Sequence, residues 1–219
     1  MDLPDAAHPR DRRPSPSPRN EGWDFVRRLI QTARPLGAIG VTDRLIAEFA
    51  DASTLLFASP ARLDSALPDD RIIVDLLIAA QQLFLHSLER RIRSRPILAN
   101  DRSVLDYLVA NMAHQPAEQV RVLYLNTKNE LLGDEIVSWG SVNRVDISPR
   151  EIIRRALDMA ATGLLIAHNH PSGDPMPSAS DVAITRDLLQ AARLFEINLL
   201  DHIIVAQQGC YSFRAEGRL

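Results

Sequence analysis

The sequence predicts an α+β chain of layered α/β type, a mixed sheet flanked by helices and preceded by a small all-helical domain. Three observations carry that prediction. Up to residue 96 the apolar residues recur at helical spacing, as in Trp23, Val26, Leu29 and Ile30. From residue 119 onward, β-rich runs alternate with helical patterns. Between the two regions, residues 96–100 open with a helix-breaking proline and precede new capping residues, Asp101 and Ser103.

In chain order, residues 1–20 hold five prolines, four arginines and three aspartates with almost nothing to bury, the composition of a disordered tail. The helical domain is placed at 21–96. It starts with an amphipathic helix from Trp23 that stops at Pro35, continues in short helical pieces at 42–49, 53–57 and 60–67, and ends in a longer helix at 70–94. Arg90, Arg91, Arg93 and Arg95 suit the negative end of that helix's macrodipole. The second domain, 97–219, opens with a helix at 103–112, followed by strands at 119–126 and 131–139 around a polar turn. A short extended piece at 145–148 leads into a helix at 149–161, with Pro149 in its first turn. The apolar run 163–167 reads as a buried strand. A loop at 171–177 with three prolines, a helix opening near Asp181, a strand at 198–206 and a hairpin strand near 211–213 complete the chain.

Composition narrows the function classes. A net charge of −3 provides no global basic field, which weighs against binding nucleic acid by charge alone. Cys210 is the single cysteine, so an internal disulfide and a cysteine-based zinc site are both excluded. No apolar run of membrane-spanning length and no signal peptide are read, so a cytoplasmic protein without a membrane partner is expected.

The stretch with the most chemistry is AHNHPSGDPMPSASD, residues 167–181. Residues i and i+2 of an extended chain point to one side, so His168 and His170 converge on one point. Asp181 stands at the start of the following helix. Two histidines and a carboxylate are the usual protein share of a catalytic zinc site, whose open position takes a water with its pKa lowered from about 15.7 to roughly 7. Ser178 and Asp181 also fit a capping box, which is compatible with ligation. The literal string His168-Asn169-His170 does not match the nuclease class of that name, whose residues are spread over a longer ββα unit. Amide chemistry also needs a proton carrier. Glu118, Glu130, Glu135 and Glu151 all precede the motif, and the residues themselves do not choose among them.

The complete pattern H-x-H-x7-S-x2-D, formed by His168, His170, Ser178 and Asp181, resembles the JAMM (MPN+) metallopeptidase motif without gap or mismatch. The runs LYLNTKNELL (123–132), SPREIIRRAL (148–157), AHNHPSGDP (167–175) and LLDHIIV (199–205) resemble the bacterial RadC family, over roughly residues 100–219. The resemblance implies a JAMM/MPN-like fold for 97–219 with Zn2+ held by His168, His170 and Asp181. It selects Glu118 as acid/base, because in such proteins the glutamate precedes the first core strand after the opening helix; Glu135 is the second choice. It makes Ser178 a donor to the oxyanion or the water, a role worth about 2.7 to 4 kcal/mol. Asp201 and His202, set among Leu199, Leu200, Ile203 and Ile204, read as hydrogen-bonded support and not as further ligands.

In that family the N-terminal region resembles a helix-hairpin-helix unit, whose glycine-rich turn offers N–H groups to a DNA phosphate. Here the corresponding residues 66–71 read ALPDDR, with no glycine and two carboxylates. The unit is degenerate, and a packing role or a protein partner is expected of it in place of DNA. The resemblance thus implies a zinc-dependent metallohydrolase that cuts peptide or isopeptide bonds in a protein or peptide substrate. The alternative is a non-catalytic zinc-binding accessory protein in DNA repair or recombination.

Overall fold

The computed structural model describes residues 18–98, 101–139 and 148–219. The tail expected at 1–20 lies outside them as far as residue 17, as does the extended piece expected at 145–148 up to residue 147. Five helices come first: α1 (Pro18–Ala33), α2 (Ala38–Glu48), α3 (Ala52–Leu56), α4 (Pro60–Ala66) and α5 (Arg71–Arg93). Gly37, at φ 84°, supplies the left-handed turn that starts α2 at Ala38, earlier than the apolar spacing suggests. Asp51 and Ser59 cap α3 and α4 by accepting from Thr54 N–H and Arg62 N–H, each cap worth about 1 kcal/mol. The apolar stripes close over Ile30, Val41, Leu45, Leu63, Leu67 and Ile73, a core of their own.

Helix α5 runs through two cores. Ile73, Val74 and Leu77 belong to the helical core, whereas Leu88 and Ile92 pack with α6 (Arg102–Met112) and the sheet. Because α5 enters both cores the two regions share a packed seam, beyond which Ile97 is fully buried in the second core and donates its N–H to Asn129 O at 2.7 Å. By length and composition α5 is also apolar enough to cross a bilayer, which amends the reading that no run has that length. Among the described residues no other helix meets that measure.

The sheet comprises β1 (Gln119–Leu125), β2 (Leu131–Trp139), β3 (Gly163–Asn169), β4 (Asn198–Ala206) and β5 (Gly209–Ser212), in the order β2-β1-β3-β4-β5. Among the described residues only β3 and β4 pair in parallel, and α8 (Ala179–Leu194) connects them. Strand alternation separates the two faces. Val120, Val122, Tyr124, Leu164 and Ile166 face α7 (Pro149–Asp158) and α8, whereas Leu123, Leu125, Leu165 and Ala167 face α6. The expected α+β arrangement, a mixed sheet between helices behind a helical region, is found. Two of the boundaries that differ from the sequence reading lie in the sheet region. Helix α7 stops at Asp158 because Ala160 turns left-handed at φ 53° and Ala161 N–H closes onto Ala156 O. Strand β3 runs two residues further, to Asn169, so His168 lies inside the ladder opposite Val120 and Ile204.

Candidate metal centre

His168 sits in the central strand β3 with no exposed surface, on the face covered by α8. His170 follows just past the strand end, where its N–H still donates to Val205 O at 2.9 Å. The next residues turn back on themselves. Gly173, at φ 88°, donates its N–H to His170 O, and the carbonyl of Asp174 accepts from His170 Nδ1 at 2.9 Å. Pro171, Pro175 and Pro177 stiffen this loop up to Ser178, the N-cap of α8. Asp181 is the third residue of that helix, where the dipole favours a carboxylate. Glu118 immediately precedes β1, beside the end of β3.

These elements bring four donors together. Donor atoms of Glu118, His168, His170 and Asp181 all lie within 4.8 Å of one another. The other three glutamates are elsewhere. Glu135 is held by Arg155 in a bidentate ion pair, Glu130 bonds Asn126 Nδ2, and Glu151 pairs with Arg154. The Arg155 hydrogen bonds hold the Glu135 carboxyl below its usual range despite the opposing effect of burial.

The hydrogen-bond network decides where the ring protons are. Thr185 Oγ1 donates to the backbone carbonyl of Asp181 at 2.5 Å, so it accepts from His202 Nδ1–H at 2.6 Å. Burial pushes His202 well below the usual histidine range and keeps it neutral. Its bare Nε2 then accepts from His168 Nδ1–H at 2.8 Å. In the neutral form that binds a metal an imidazole has one N–H, and the Nδ1 partners of His168 and His170 claim it. Two bare Nε2 atoms therefore face each other at 3.0 Å, with Asp181 Oδ1 3.2 Å from that of His168 and Oδ2 3.5 Å from that of His170.

Lone pairs converging in this way repel unless a cation lies among them, so the donor set fits a metal ion, and the nitrogen and carboxylate ligands suit zinc. Even without a cation the charges lean that way. Burial alone would raise the Asp181 carboxyl, but the neighbouring His168 and His170 rings and the hydrogen bonds from Ser178 carry it far below the usual carboxylate range. The Asp181 contact in turn raises His170.

Ser178 and Asp181 form the capping box expected from their spacing. Asp181 Oδ2 accepts from Ser178 N–H at 2.7 Å and from its hydroxyl at 2.6 Å. Asp201 and His202 part company. His202 reaches the centre through His168, whereas Asp201 accepts from Ser212 Oγ at 2.5 Å and from Arg214 N–H, closing the end of the β4–β5 hairpin. Thr185 and Asn169 were not singled out from the sequence. A hydroxyl one helical turn after Asp181 was the available signal for the first. Asn169 was masked by its two histidine neighbours.

The model of the RadC-like JAB domain matches residues 98–218. A UPF0758 protein of Rhodobacter capsulatus is 39% identical over 176 residues, covering 80% of this chain and 82% of the relative. A UPF0758 protein of Ruegeria pomeroyi is 37% identical over 191 residues, covering 86% and 82%. The domain match spans more than half of the chain, which belongs to the RadC-like JAB-domain family and carries its four-donor centre at the β1 entrance, the β3 end and the start of α8.

Proposed function

We propose that the protein is a zinc-dependent hydrolase of amide bonds, peptide or isopeptide, in which His168, His170 and Asp181 hold the metal and Glu118 moves the proton. The observation that carries this reading is the convergence of those four side chains, with both Nε2 lone pairs and a carboxylate oxygen turned inward. Zinc in such a site supplies Lewis acidity towards a carbonyl oxygen and activation of water at neutral pH. The Glu118 carboxylate accepts the proton that the attacking water gives up and returns it to the leaving amine nitrogen. Ser178 is the proposed donor to the developing oxyanion. Its hydroxyl is bonded to Asp181, so that role requires the O–H to turn toward substrate.

For the N-terminal helices we propose a protein partner in place of DNA. Residues 66–71 contain no glycine, and Phe25 stands 64% exposed beside an apolar cavity of about 440 Å³ lined by Val26, Leu29, Leu56 and Leu77. Duplex binding by the full chain that fell about 10³-fold between about 50 and 200 mM salt would contradict this.

The test of the hydrolase reading is Glu118→Gln, which fills the same space and cannot carry a proton. Elemental analysis is expected to show one zinc per chain in both proteins, while hydrolysis falls by about 10² to 10⁴-fold. The substrates are ubiquitin-like tails and C-terminal peptides. Zinc uptake without cleavage of any of them by the wild type would withdraw the enzyme assignment in favour of a zinc-binding accessory protein.

A further inference from the structure

We propose that Asn169 is a positioning residue for Glu118, its side-chain amide clamping the two peptide groups that flank the glutamate. The inference rests on the hydrolase reading for its consequence, and on geometry alone for the clamp. Among the described residues the Glu118 carboxylate makes no hydrogen bond or ion pair, so no other side chain fixes its direction. Its reach is set by the backbone at residue 118, which lies between the 117–118 and 118–119 peptides.

Asn169 holds both. Its Oδ1 accepts from Gln119 N–H at 2.9 Å, and its Nδ2 donates to Ala117 O at 3.1 Å and, at 3.4 Å, to Gln115 O. The β1–β3 ladder has Val120 opposite His168 as its last pair, and beyond it His170 N–H is committed to β4. At that point the Asn169 amide, one acceptor and one donor group, stands where the next rung of the ladder would be. Asn169 is 1% exposed, so these contacts are made away from water. Strand alternation accounts for the arrangement: His168 and His170 leave one face of the chain, and Asn169 leaves the other. The motif thus holds two ligands with its odd positions and sets the proton carrier with the residue between them.

The experiment uses the full chain with zinc sulfate and compares wild type, Asn169→Ala and Asn169→Asp. Per-residue amide exchange is expected to rise about tenfold or more at Gln119 in Asn169→Ala, the size of one lost hydrogen bond. The His170 amide, bonded to Val205 O, should keep its protection, and zinc should stay at one per chain. Hydrolysis should fall about tenfold or more, carried in kcat at unchanged KM. Asn169→Asp keeps the acceptor and loses both donors; it should protect Gln119 and still lose hydrolysis, and it carries the test if Asn169→Ala does not fold. Exchange at Gln119 within twofold of wild type, or a rise shared equally by His170 and the rest of β1, would overturn the clamp. Full hydrolysis with Gln119 deprotected would overturn the positioning role and leave the hydrolase intact. A wild type that protects Gln119 and binds zinc but cleaves nothing would remove the hydrolase reading and leave the clamp supported.

Discussion

Asp70 and Asp181 are carboxylates hidden to nearly the same degree, 6% and 7% exposed, and their neighbours give them opposite tasks. Asp70, at the start of α5, is met by the guanidinium groups of Arg34 and Arg44, the latter at 2.5 Å. A guanidinium carries its charge permanently, so the negative charge is cancelled inside the helical region. Asp181 is met by two imidazoles whose single protons are directed elsewhere, to His202 and to Asp174 O. With both rings neutral, no cation cancels its charge, and Glu118 adds another carboxylate. A buried acid beside arginine closes a fold, whereas one beside neutral histidines calls for a cation. Asp70 thereby changes part of the sequence argument. Its charge is turned inward, so only Asp69 of the pair can repel a phosphate at that turn.

The largest effect expected from this contrast is on metal content. Asp181→Ala should take the protein from one zinc per chain to none, and Asp70→Ala should leave zinc unchanged, both read by elemental analysis after desalting. Wild-type zinc in Asp181→Ala would end the comparison, because the two carboxylates would then be alike in being dispensable to the centre.

The next effect sharpens the role of the ring protons. His202 stacks on Phe213 at 4.9 Å between centroids, and a phenylalanine can keep that stacking while removing the acceptor for His168 Nδ1–H. His202→Phe should weaken zinc binding by about 10- to 100-fold, the usual cost of losing a partner that orients a metal-binding histidine. Chelator competition measures it. An affinity within threefold of wild type would mean that the Thr185–His202–His168 chain does not direct the lone pair.

Asp70→Ala should instead cost stability. It leaves Arg34 and Arg44 facing one another, but both side chains are nearly half exposed and regain water, so the loss should be about 1 to 3 kcal/mol, below that of a fully buried broken pair. Urea unfolding followed by circular dichroism gives the number, and a change under about 0.5 kcal/mol, the range of ordinary surface substitutions, would show that the arginines serve only solubility.

The two carboxylates also show how far the sequence could be read. Asp181 was legible because its chemistry is local: strand, turn and cap fall within residues 163–181, and every spacing in that run has a structural meaning. The fold class was legible for the same reason, from periodicity in short windows. Asp70 was not, since its partners are 36 and 26 residues away and only the packing of α1 and α2 onto α5 brings them in. The choice of Glu118 needed the antiparallel register of β1 on β3, which links residues about fifty apart and leaves no periodic trace. Asn169 was in plain view and went unread, because a strand residue facing away from its neighbours' ligand site shows no local pattern.

The smallest effect concerns the carboxylate that came second in the choice of base. Glu135 is held by Arg155 on β2 and α7, and both side chains are about a third exposed or more, so water screens the pair. Its folded pKa lies below the ordinary 4.5, with the Arg155 hydrogen bonds as the leading cause. A lowered acid adds stability that is present above the unfolded pKa and is lost as pH falls through the folded one. Glu135→Gln should therefore be slightly less stable than wild type at pH 7, by less than the loss in Asp70→Ala, and the difference should fade as the solution is taken well below pH 4.5. Zinc content and hydrolysis should not change, because the Glu135 carboxylate is occupied by Arg155 and lies outside the four-donor group. A Glu135→Gln protein that keeps zinc but loses hydrolysis, beside an active Glu118→Gln, would move the proton carrier from the β1 entrance to β2 and undo the role argued for Asn169 with it.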